Sequence, residues 1–152
     1  MNDDKKFIAQ DYLNRLSDVK DPIAQVVTIH LFTEHYLDHM LRSVSKNPDK
    51  LPKRMSYKQK LDILNSLISL PEGLYNNICK LNNLRNECAH NLDFDFSNAD
   101  YNYDLSILNS IARENFGDLS KVNLWNRLMW VGIVTFGWLN NYDHITGESK
   151  EL

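Results

Sequence analysis

Arg85, Asn86 and His90 lie close together in "LRNECAH", residues 84–90, within a stretch whose other large side chains are mostly leucines. A guanidinium presents a fork of donors that fits a carboxylate or a phosphate. An imidazole changes charge near neutrality and can pass protons in either direction. Two further groups offer chemistry. His35 and His39 stand one helical turn apart, a spacing that can hold a metal, but no third ligand is evident. A solvated or interface face is the plainer reading of that pair, and no metal or other cofactor is expected. Between residues 46 and 60, Lys46, Lys50, Lys53, Arg54, Lys58 and Lys60 face a single acid, Asp49. Such a local excess suits phosphate binding, with a charged, well-solvated loop as the alternative.

These side chains need helices to position them. Five glycines and four prolines punctuate the chain, and helical periodicity dominates between them. A first helix is predicted over Asp4–Leu16, with Phe7, Ile8, Tyr12 and Leu16 inward. Asp21 then Pro22 is a helix start, a capping side chain followed by proline at the first position. This second helix carries Ile23, Val26, Val27, His30, Glu34, Leu37 and Leu41 on one side until "NPDKLPK" stops it. A third begins near Ser56 with Leu61, Ile63, Leu64, Leu67 and Ile68. A fourth opens at Pro71 and carries Leu74, Ile78, Leu81, Leu84, Cys88 and Leu92.

"LDFDFSNADYNYD", from residue 92, reads as an irregular cover segment. A short helix is predicted over Leu105–Glu114, then a long apolar one over Val122–Asn141, where Gly132 and Gly137 would allow close approach. The expected fold class is an all-α helical bundle of about five to six helices with that long C-terminal helix at its centre or at a subunit interface. One domain spanning 1–152, with its core over about 20–140, is expected.

At about 100° per residue, Arg85 falls within about 20° of Leu74, near the middle of the fourth helix's apolar face. Glu34 occupies the equivalent place on the second helix. Two opposite charges in apolar stripes predict an ion pair, Glu34–Arg85, because either would be costly to bury alone; the alternative is that they snorkel to solvent. His90 projects about 140° away from Arg85, on the side of Asn86 and off the core.

The R-N-x-x-A-H arrangement of Arg85, Asn86, Ala89 and His90, late in a helix of a small all-α protein, resembles the motif of the HEPN superfamily. Glu34 in "HLFTEHYLDHML" and the basic, polar approach "KRMSYKQKLDIL" also look like its mannitol-repressor-like branch. The resemblance implies a homodimer whose two motifs face one cleft, and in active members a metal-independent endoribonuclease. Carried over, His90 would be the acid–base residue, Arg85 would stabilise charge on phosphorus and Asn86 would orient. Single-stranded RNA or a protein would be the partner. The antitoxin-paired subgroup has a tyrosine two residues after the histidine; Leu92 stands there here, so modification of that tyrosine is not implied. A non-catalytic dimeric transcriptional regulator, or a protein-interaction module, is the alternative; Arg85 locked in the core would favour the regulator.

Composition narrows the setting. The 152 residues are 43% hydrophobic and 24% charged with a formal net charge of -3, which suits one globular core and gives no global attraction to nucleic acid or membrane. Cys79 and Cys88 are too few for a disulfide framework, and a cytoplasmic, reducing location is expected. No signal peptide is read at the N-terminus. The run Leu124–Leu139 contains Asn126 and Arg127 and falls short of the roughly 18 uninterrupted apolar residues of a membrane span. Trp125, Trp130 and Trp138 within or beside it read as core or interface aromatics.

Overall fold

The computed structural model describes residues 14, 15, 18–91 and 93–96. Its elements are α1 (Pro22–Val44), a 3₁₀ turn (Pro48–Lys50), α2 (Tyr57–Ile68) and α3 (Glu72–His90), and no strand occurs among the described residues. The all-α class holds for this part. The first predicted helix lies almost wholly outside the described residues, and the short and long C-terminal helices lie outside them entirely. Among the described residues no helix is long and apolar enough to cross a membrane.

Local sequence sets the helix ends. Asp21 Oδ2 accepts from the Ala24 N–H at 2.9 Å, and Pro22 takes the first helical position, where its missing donor costs nothing. At the far end Ser45 turns back, its N–H and its hydroxyl both donating to the Leu41 carbonyl. The start of α2 is a capping box. The Gln59 N–H donates to Ser56 Oγ at 3.2 Å, and the Ser56 N–H donates to Gln59 Oε1 at 2.8 Å. That helix stops at Ser69, which adopts φ 52 in the left-handed region. The Asn65 side chain accepts from the Leu70 N–H at 2.9 Å, fixing the turn that lets Pro71 begin α3.

The core joins all three helices. Val26, Ile29, Leu37 and Leu41 of α1, Leu61 and Leu64 of α2, and Leu74, Ile78 and Leu81 of α3 are fully buried. The expected inward face of α1 is too narrow: Ile29, Tyr36 and Met40 are buried as well, whereas Val27 is only half-buried. Two helices pack against α1, so it buries more than one stripe. On α2 the outcome is the reverse. Leu61 and Leu64 are inside, but Leu67 is 51% exposed. Beyond α3, Phe94 and Phe96 meet edge to face at 4.9 Å and pack on the core, so the described part of the irregular segment does act as a cover.

Candidate functional site

Where the three helices converge, α1 contributes His30 and Glu34, α2 contributes Tyr57 and Lys58, and α3 contributes Asn82, Arg85 and Asn86. With Ser56 these line a cleft of about 420 Å³. Arg85 and Asn86 are thus brought together, half-buried, with Arg85 Nη1 donating to Asn86 Oδ1 at 3.3 Å. His90 is exposed at the last position of α3. Asn82, Asn86 and His90 recur every four residues and therefore form one stripe, which runs from inside the cleft out to the helix end. The imidazole lies off the core face, as helical geometry predicts from sequence.

The expected Glu34–Arg85 ion pair is corrected. Glu34 Oε1 accepts from Lys60 Nζ at 3.1 Å, and the same ammonium lies 3.7 Å from Asp38. Among the described residues Arg85 makes no ion pair within 4.0 Å. The physical reason is placement. Glu34 and Arg85 face a solvent-reaching cleft rather than a dry interhelical seam, and α2 offers Glu34 a cation of its own, Lys60. Lys60, at 15% side-chain exposure, is the more deeply set of the two basic groups expected to bind nucleic acid on α2.

His30 is the residue whose role sequence reading missed. Its position in the repeat puts it on the apolar face of α1, and it is buried there in a specific environment. Its ring stacks on Tyr57 with centroids 4.1 Å apart, and its Nε2 lies 3.0 Å from Asn82 Oδ1. Burial is the main force pushing its pKa below 6.5. The Asn82 bond opposes this, the Arg85 charge adds to it, and the Glu34 charge opposes it. Tyr57 in turn donates its hydroxyl proton to Thr33 Oγ1 at 2.8 Å, and burial drives its own pKa far up. The signal for His30 was its position seven residues from both Ile23 and Leu37, in step with the core. Nothing in the sequence indicated Asn82 as its partner.

The basic residues divide into two sets. Lys58 donates to Asp62 and to the Tyr75 hydroxyl, which itself donates to Asp62 at 2.7 Å. Those two bonds raise the Lys58 pKa, so its charge is firmly held but locally compensated. Lys60 is compensated by Glu34 and Asp38. Lys46, Lys50, Lys53 and Arg54 are exposed. Lys53 and Arg54 line a second cleft of about 430 Å³ together with Arg42, Lys60 and Asp38, whereas Lys46 and Lys50 do not.

His35 and His39 are exposed on α1. Among the described residues no group of three or more His, Cys, Asp or Glu side chains is placed to hold a metal ion. Neither Cys79 nor Cys88 is in a disulfide, and burial raises the pKa of the Cys88 thiol. Trp125, Trp130 and Trp138 lie outside the described residues. Comparison of the chain with protein-family models, curated proteins and solved structures finds no match.

Proposed function

We propose that the chain is a HEPN-like endoribonuclease that cleaves single-stranded RNA without a metal, at the Arg85–Asn86–His90 end of α3. The observation that carries this reading is the state of Arg85. Its guanidinium lines an open cleft beside Asn86, while the nearby carboxylate Glu34 is satisfied by Lys60. A cation so placed is available to an incoming phosphate, whereas an arginine locked in a core pair would not be.

In this reading His90 takes the proton of a ribose 2′-hydroxyl, whose oxygen attacks the adjacent phosphorus. Arg85, with Asn86 holding one of its nitrogens, stabilises the extra negative charge on the phosphorane oxygens. The P–O5′ bond breaks, the 5′-oxygen leaves with a proton, and the product ends are a 2′,3′-cyclic phosphate and a 5′-hydroxyl. His30 is a poor second proton carrier, because burial holds it neutral and Asn82 engages its Nε2. His90 of a second copy would supply the acid, which makes a twofold homodimer part of the proposal.

The test is cleavage of single-stranded RNA in excess chelator, with end-group analysis of the products. Wild type should cut, and His90→Ala should lose at least about a hundredfold in rate, the usual scale of a general acid–base group. Its circular dichroism should be unchanged, since His90 is exposed. Wild-type protein that neither binds nor cuts RNA across a broad panel would replace this reading with that of a non-catalytic dimeric regulator.

A further inference from the structure

The second cleft shares Ser56 with the Arg85 cleft, so the two adjoin across the first turn of α2. Four cations line it, Arg42, Lys53, Arg54 and Lys60, against one carboxylate, Asp38. Two of the four are already engaged. Arg42 Nε donates to Asp38 at 3.1 Å, and Lys60 is shared between Glu34 and Asp38. Lys53 and Arg54 are exposed and have no ion-pair partner among the described residues. Two uncompensated cations thus line the same cleft as two that are already paired. Pro52 and Met55 give the same cleft an apolar edge. A chain carrying one negative charge per unit, with flat apolar faces between charges, matches that alternation.

We infer that the cleft beside Arg42, Lys53 and Arg54 is a phosphate subsite for the same RNA strand, holding a backbone phosphate that flanks the one cleaved at Arg85. This rests on the ribonuclease reading and adds where the rest of the strand lies. Lys53 and Arg54 supply the charge that binds the flanking phosphate, and Arg42, paired with Asp38, lines the cleft beside them. A sugar or base of the intervening nucleotide lies against Met55 and Pro52. The subsite acts on binding and has no part in bond breaking.

Two substrates separate the subsite from the cleavage centre. A dinucleoside monophosphate fills only the Arg85 cleft, whereas a single-stranded RNA decamer spans both. Lys53→Gln/Arg54→Gln should raise the KM for the decamer about tenfold with kcat unchanged, and leave kcat/KM for the dinucleotide as in wild type. By fluorescence anisotropy, the slope of log affinity for the decamer against log salt should become shallower by about 0.7, the contribution of one phosphate left unneutralised on a single strand. An active wild type with a double variant that handles the decamer equally well would overturn the subsite and leave the ribonuclease reading standing. Equal losses on both substrates would also overturn it, because a general basic field would then be acting. Decamer binding that follows charge in DNA or an acidic peptide as closely as in RNA would point to an acidic partner in place of the strand. A wild type that binds no decamer at all removes the subsite and the ribonuclease reading together.

Discussion

His30 shows how burial turns a common side chain into a pH-dependent one. In the unfolded chain its pKa is near 6.5, and in the folded chain it is lower, mainly because the ring has left water. Well above pH 6.5 the ring is neutral in both states and contributes no pH dependence. As pH falls below that value the unfolded state binds a proton that the folded state does not. Stability therefore drops through the window between 6.5 and the folded-state pKa, and the loss levels off below it, where both states are protonated. The urea midpoint of wild type should thus fall between about pH 7.5 and about pH 5.5, and His30→Gln should show a smaller fall over that range. Equal slopes in the two proteins would mean that the ring protonates as easily folded as unfolded.

At the scale of elements, α2 is held on α1 by three kinds of contact. Leu61 and Leu64 fill the core, Tyr57 donates to the fully buried Thr33 hydroxyl, and Lys60 bridges Glu34 and Asp38. Glu34 and Asp38 are one turn apart on α1, so without Lys60 they would repel each other. Lys60→Ala should therefore cost about 1–2 kcal/mol, between the limits for exposed and fully buried pairs. Arg85→Ala should cost less, about 0.5–1 kcal/mol, since it removes half-buried packing and one long hydrogen bond but no ion pair. Urea denaturation of both variants checks the order. A larger loss at Arg85 than at Lys60 would restore the direct Glu34–Arg85 pair in solution.

At the scale of the whole molecule, the proposed chemistry needs two proton-transfer groups at one phosphate. A single copy offers one exposed histidine on the Arg85 helix, and His30 is engaged inside. Twofold symmetry is the commonest closed arrangement and would bring a second His90 to the same cleft. The expected dimer interface buries more than about 1,000 Å² in total. Light scattering at micromolar concentration should give twice the mass of one chain. A monomeric species that still cleaves RNA would exclude the shared cleft and require an acid from elsewhere in the same copy.

What the sequence determined by itself is local. Asp21–Pro22, Ser56 with Gln59, and Pro71 mark three helix starts because each satisfies or omits donors within its own first turn. The placement of His90 off the core face and at the end of α3 followed from the helical repeat alone, since the helix stays regular to that residue. Leu37, Leu41, Leu61, Leu64, Leu74, Ile78 and Leu81 were legible as core for the same reason. The partners across helices were not. Whether Glu34 meets Arg85 or Lys60 depends on how far each helix is rotated about its own axis and how deeply α2 enters the groove. Many long-range contacts set these together. His30 with Asn82, Tyr57 with Thr33, and Lys58 with Tyr75 were hidden for the same reason. Periodicity fixes which side of a helix a residue occupies, and only packing decides what stands opposite it.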